Sequence, residues 1–262
     1  MTTRDTPFAA GTPCWVDLLS SDVDKSKSFY TELFGWTSQD TGEEFGGYVN
    51  FQSDGYQVAG MIGNAPGSGS PDAWTTYIST ADIKASADAV TDAGGQIVSP
   101  PMEVADLGSM AIVLDPAGAV FGLWQPGTHT GFTKYNEPGS VTWDEHHSKN
   151  FAASTPFYQK VFGWHLDRMS DTDEFRYFQG QIDGETVAGL MDSSSFLPAE
   201  VPSHWAVYFS VDDVDAAAAK AVELGGTVLR DPEDTPFGRM ADLTDATGAP
   251  FKLHSTKLAN QA

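Results

Sequence analysis

Along this chain the spacing of apolar residues switches between two periods, and the switch recurs four times. A β-branched and aromatic run leads to Asp or Asn, after which apolar residues recur at three and four until a Gly stops them, as a capped helix following a strand requires. In "VDDVDAAAAKAVELGG", Val214, Ala217, Ala218, Ala221 and Leu224 make one stripe, with the cap expected near Asp212 and the stop at Gly225. Short strand-like runs follow each helix. "GGYVNFQSDGYQVAGMIG" is one such stretch, and "SMAIVLDPAGAVFGLWQ" is another, in which "DPAG" separates two strands. The predicted unit is strand, helix, three strands, four times over.

The four units form two pairs. "WVDLLSSDVDKSKSFYTELFGW" (15–36) aligns without a gap to "WDEHHSKNFAASTPFYQKVFGW" (143–164) with eight of 22 residues identical. "WTTYISTADIKASADAVTDAGG" (74–95) matches "WAVYFSVDDVDAAAAKAVELGG" (205–226) equally well, and "VAGMI" matches "VAGLM". The chain is a duplication. Pro, Gly and Ser concentrate in "GNAPGSGSPDA", "PGTHTGFTKYNEPG" and "DSSSFLPAEVPS". The middle break divides the chain into residues 10–127, a linker at 128–139, and residues 140–257.

With 36 Asp and Glu against 14 Lys and Arg, the formal charge is −22. That charge repels phosphate backbones and anionic lipid surfaces, so neither nucleic acid nor a membrane is an expected partner. No apolar run approaches 18 residues and the start carries no leader pattern, so the cytoplasm is the expected location. Cys14 stands alone, excluding an internal disulfide; a buried apolar thiol is the expected reading.

"SDVDKSKSFYTELFGW", "DAGGQIV" and "DPAGAVFGLWQ", in this order and repeated, resemble the glyoxalase, bleomycin-resistance and extradiol-dioxygenase superfamily, the vicinal oxygen chelate proteins. The resemblance implies an α+β fold of four βαβββ modules. These form two curved mixed sheets, or half-barrels, each around a concavity with helices outside. It also implies a divalent metal held by His, Glu or Gln on inward strand positions. Here those positions are Trp15, Gly60, Thr75 and Gly122, and Trp143, Gly189, Ala206 and Lys252. None offers such a ligand. No metal or cofactor is therefore expected, apart from a weak relocated divalent site using Glu145 with His254 or His147. His204 lies too far from His254 to share an ion with it.

Strand alternation then sorts "DEHH". If Trp143 faces the concavity, so do Glu145 and His147, whereas Asp144 and His146 face the helices. The first half supports this phase, with Val16 and Leu18 on the helix side and Trp15 and Asp17 inward. His146, which replaces a Leu, reads as a strand-end or partly exposed imidazole with a hydrogen-bonding partner. Asp144 on the helix side has no account at this level.

Two functions compete. A binder of a small apolar or aromatic molecule uses Trp15, Asp17, Trp124, Trp143 and Tyr208 as walls and orienting groups. An enzyme in the lyase, isomerase or oxygenase class uses Glu145, His147, Lys252 and His254 for acid–base work or with a relocated metal. A protein-binding scaffold is third. The halves are expected to be unequal, with any chemistry in the second.

Overall fold

The computed structural model describes residues 3–65 and 67–257. The first half contains β1 (Pro13–Ser20), α1 (Val23–Phe34), β2 (Thr37–Asp40), β3 (Val49–Ser53) and β4 (Tyr56–Gly63), then β5 (Ala73–Ser79), α2 (Ile83–Asp92), β6 (Gln96–Val104), β7 (Gly108–Leu114) and β8 (Val120–Pro126). The second half repeats the order. It runs β9 (Val141–Ser148), α3 (Phe151–Phe162), β10 (His165–Asp171), β11 (Arg176–Ile182) and β12 (Glu185–Asp192), then β13 (His204–Ser210), α4 (Val214–Glu223), β14 (Thr227–Thr235), β15 (Gly238–Thr244) and β16 (Pro250–Ser255).

Each half is one eight-stranded mixed sheet, ordered β2-β3-β4-β1-β5-β8-β7-β6 and β10-β11-β12-β9-β13-β16-β15-β14. The opening strands of the two modules pair antiparallel at the centre, and each is flanked by a parallel neighbour from its own module. Asp22, Asp82 and Asp213 cap α1, α2 and α4 by accepting first-turn amide hydrogens. The cap of α4 is thus Asp213 and not the adjacent Asp212. No helix among the described residues is long and apolar enough to cross a membrane.

The two hydrophobic clusters of the core do not follow the two halves. Phe29 and Tyr30 of α1 pack with Phe209 and Phe251 of the second sheet, and Phe157 and Tyr158 of α3 pack with Phe121 of the first. The tryptophan of each "FGW" crosses over as well. Trp36 donates to the Gly139 carbonyl at 2.8 Å and Trp164 to the Gly11 carbonyl at 2.7 Å. Both acceptors are glycines at positive φ just before the opening strand of the other half. The helix-bearing faces therefore meet, and the two concavities face away from each other.

Candidate functional site

In the first half Asp17 stands opposite both Gly60 and Thr75, and Trp15 stands opposite Tyr77, which in turn faces Gly122. The Trp15 indole donates to Asp17 Oδ1 at 2.8 Å and to the Tyr48 hydroxyl at 2.9 Å. Tyr48 donates to the same carboxylate oxygen, and Tyr77 bonds it too. Burial pushes Asp17 up to about 6 despite these donors. Two of the inward glycines are occupied spaces: a Cβ on Gly60 would collide with the Tyr48 hydroxyl, and one on Gly122 with the Tyr77 ring.

The second half repeats the constellation with a longer acid. Glu145 stands opposite Gly189 and Ala206, Trp143 opposite Tyr208, and Tyr208 opposite Lys252. Tyr208 donates to Glu145 Oε1 at 2.9 Å; Tyr177 bonds Glu145 and takes a bond from Trp143, as Tyr48 does from Trp15. A Cβ on Gly189 would collide with the Tyr177 hydroxyl. His147 Nε2 lies 2.9 Å from Glu145 Oε1, and its Nδ1 meets Ser193 Oγ at 3.1 Å. Burial opposes ionisation of Glu145, but His147, Lys252 and Tyr208 together hold it down at about 2. Equivalent acids are thus pushed in opposite directions, and the difference is the neighbours His147 and Lys252, which only the second half supplies.

The register separates the other candidates. Glu145 is level with Ala206 and His254 with Ser210, four positions apart along β13, or about 13 Å. His204 is two positions further away; its ring stacks on His147 at 5.1 Å, and burial lowers it to about 4. The structure therefore brings Glu145, His147 and Tyr208 together with Lys252 beside them, and leaves His254 at the far end. Lys252 Nζ bonds Asp242 at 3.0 Å and sits 5.3 Å from the Tyr208 ring, while His254 Nε2 is 2.9 Å from the Phe237 carbonyl oxygen.

The two concavities differ in cover. Trp15 and Trp124 are buried beneath the linker, where His129 meets their rings at 4.5 and 5.4 Å and Phe132 meets Trp15 at 5.5 Å. In the second half Trp143, Lys252 and His254 keep part of their surface, with Phe237 50% exposed at the rim and its ring 6.1 Å from Tyr177. A shallow hollow of about 570 Å³ lies elsewhere, between Ser21, residues 67–72 and Thr247–Gly248. Its Asp72 already accepts from Ser21 and Asn64 and bonds Thr247, so its carboxylate is taken up by the hollow's own walls.

Two of the expectations change. His146 is not a partly exposed strand-end group: it is fully buried and pairs with Asp115 of the other half at 2.8 Å. Asp144 acquires an account, because the Thr76 hydroxyl of the other half donates to it at 2.6 Å in the layer between the sheets. Burial still pushes Asp144 up to about 7. Cys14 is 1% exposed, and burial with Asp144 and Asp17 nearby raises its pKa far beyond reactivity. Sequence reasoning missed Tyr48, Tyr77, Tyr177 and Ser193. The repeat carried a signal for the tyrosines, since "GGYVNF" and "FRYFQG" put Tyr48 and Tyr177 at one offset.

With this architecture and constellation in place, comparison identifies the class. The chain belongs to the Glyoxalase/Bleomycin resistance protein/Dioxygenase superfamily, matched over residues 14–123 and 148–253. It is 41% identical over 270 residues to the anthracycline biosynthesis protein DnrV of Streptomyces peucetius, covering 95% of this chain and 94% of that one. It is 39% identical over 251 residues to CFP32 of Mycobacterium tuberculosis (strain CDC 1551 / Oshkosh), which bears a provisional glyoxylase name, covering 94% and 95%. The fold is shared with the Mn(II)-bound glyoxalase of Novosphingobium aromaticivorans, at TM-score 0.65 and 16% identity over 94% of this chain and 82% of that one. It is also shared with the 2,3-dioxygenase LapB of Pseudomonas sp. KL28, at 0.64 and 14% over 96% and 93%.

Proposed function

We propose that the protein binds a small, flat aromatic molecule in the second concavity, against Trp143, with Lys252 and His254 at its edge and the Glu145–Tyr208 pair below. One observation carries this reading. Trp143, Lys252 and His254 keep exposed surface, whereas Trp15 and Trp124, the counterparts of Trp143 and His254, are buried under the linker. A part-exposed indole beside a buried, satisfied polar floor is the composition of a site for a ring bearing one or two oxygens. The relative named for anthracycline biosynthesis agrees in kind, since anthracyclines are fused aromatic ring systems.

The family's divalent metal does not fit the residues present. Its positions hold Trp, Gly, Thr, Ala and Lys, and at Gly60, Gly122 and Gly189 tyrosines occupy the space a liganding side chain would need. Of the relocated pairs, Glu145 and His254 stand about 13 Å apart along the sheet, and Glu145 with His147, 2.9 Å apart, supplies only two ligands, with no group of three or more His, Cys, Asp or Glu among the described residues placed to hold an ion. Acid–base chemistry has less support than binding. His147 has its two ring nitrogens against Ser193 and Glu145, Lys252 holds Asp242, and His254 Nε2 faces a carbonyl. A catalytic base needs a nitrogen or oxygen facing its substrate.

The test is fluorescence titration with hydroxylated polycyclic aromatics after dialysis against chelator. Saturable quenching is expected, retained in the chelated protein. About one metal ion per chain surviving the chelator, with binding lost on its removal, would overturn the metal-free reading.

A further inference from the structure

The first concavity has an occupant, and it comes from the chain itself. After β8 the linker turns back across the sheet, held by Gly127 N to the Leu107 carbonyl at 2.8 Å, His129 N to the same carbonyl at 3.0 Å, and Phe132 N to the Cys14 carbonyl at 2.8 Å. Gly131 sits at φ +103 where a Cβ would collide with the Cys14 carbonyl, so the strap lies as close to β1 as a backbone can. The Trp124 indole donates to the His129 carbonyl at 3.0 Å, fixing the residue whose ring then lies edge-on to Trp15, at 86°. An edge-to-face pair at 4.5 Å is a favourable arrangement for an aromatic ring on an indole. Burial keeps this imidazole neutral near pH 7, as a ring filling an apolar seat must be.

The duplication supplies the comparison. Trp15 and Trp124 correspond to Trp143 and His254. Among the described residues no ring stacks on Trp143, and Lys257, the last of them, lies with its Nζ on Asp212 at 3.0 Å beside the cap of α4.

We infer that His129 is a built-in occupant of the first concavity. The linker imidazole fills there the seat that the second half leaves for a planar ring, so its removal creates a site for small planar heterocycles such as imidazole. The first statement stands on the strap alone; its extension to the second half rests on the function proposed above.

The experiment uses His129→Ala, which keeps the backbone bonds of the strap, and titrates free imidazole at about pH 8 while following tryptophan emission and thermal unfolding. The variant should show a saturable emission change and a Tm rise of about 3 °C at ten times the Kd, both absent from the wild type. A folded variant without a saturable response, or equal responses in variant and wild type, overturns the inference. If His129→Ala does not fold, His129→Phe and His129→Leu decide it: a seat for a planar ring keeps the Phe variant within about 3 °C of wild type and drops the Leu variant further. Equal Tm values for the two would overturn it. Adding Trp143→Ala separates this inference from the proposed function. The imidazole response of His129→Ala should survive that change, whereas binding of polycyclic aromatics should not.

Discussion

His146 Nε2 lies 2.8 Å from Asp115 Oδ2, and both side chains are fully buried although they come from opposite halves. Asp115 also accepts from Ser154, from Tyr158 and from the amides of Ala117 and Ala119. Burial works against its ionisation, yet the paired imidazole holds it below the usual carboxylate range. Its counterpart Asp245 has the same kind of partners in Ser26, Thr247 and Ala249, but Leu18 stands where His146 would be. The repeat therefore contains its own control. Asp115→Asn strands a buried imidazole and should cost about 3 kcal/mol or more, whereas His146→Leu recreates the first half's arrangement and should stay within about 1 kcal/mol of wild type. Urea unfolding of both variants checks this, and a larger loss in His146→Leu would contradict it.

Asp144 makes stability depend on pH in an uncommon direction. Its carboxyl keeps its proton in the folded protein up to about 7, while an unfolded Asp loses it near 4. Between those values the unfolded chain binds fewer protons than the folded one, so this group's contribution to stability falls as pH rises and is fully lost above about 7. Asp144→Asn can still accept from Thr76, and should raise stability at pH 8 by about 4 kcal/mol while changing little near pH 4. Denaturant midpoints across that range measure the difference, and an unchanged slope would contradict the assignment.

Gly122 inverts an ordinary rule. Gly→Ala within a strand usually stabilises by reducing the freedom of the unfolded chain. Here the added methyl enters the Tyr77 ring, so Gly122→Ala should cost about 2 kcal/mol. Calorimetric Tm values decide the sign.

What was legible in the sequence follows from periodicity. Four strand-to-helix switches and the duplication fix the modules, and alternation places Trp15 and Asp17 on one face of β1, where the Trp15 indole bonds the Asp17 carboxylate, with Val16 and Leu18 on the other. The phase of "DEHH" is legible for the same reason. Its meaning is not, because the partners of His146 and Asp144 are Asp115 and Thr76, on a turn and a strand of the other half. No local pattern announces that the helix-bearing faces of the two sheets meet. The tyrosines escaped notice because each reaches over a glycine on a neighbouring strand, a relationship set by register rather than by spacing along the chain. The state of the first concavity was equally hidden, since "GTHTGF" reads as a flexible connection and becomes a cover only through its bonds to Leu107 and Cys14.

The most direct measurement compares two tryptophans at equivalent positions. Trp143→Ala and Trp15→Ala are titrated with the same hydroxylated polycyclic aromatic, and binding is read by calorimetry so that losing a fluorophore does not matter. The second concavity being the site, Trp143→Ala should weaken binding at least about fivefold with little loss of stability, since an indole stacking contact is worth about 1 kcal/mol or more. Trp15→Ala, which removes a ring 4% exposed, should cost about 3–5 kcal/mol of stability while the remaining folded protein binds as before. Unchanged binding in Trp143→Ala, with binding lost in a folded Trp15→Ala, would place the site in the first half and contradict the account.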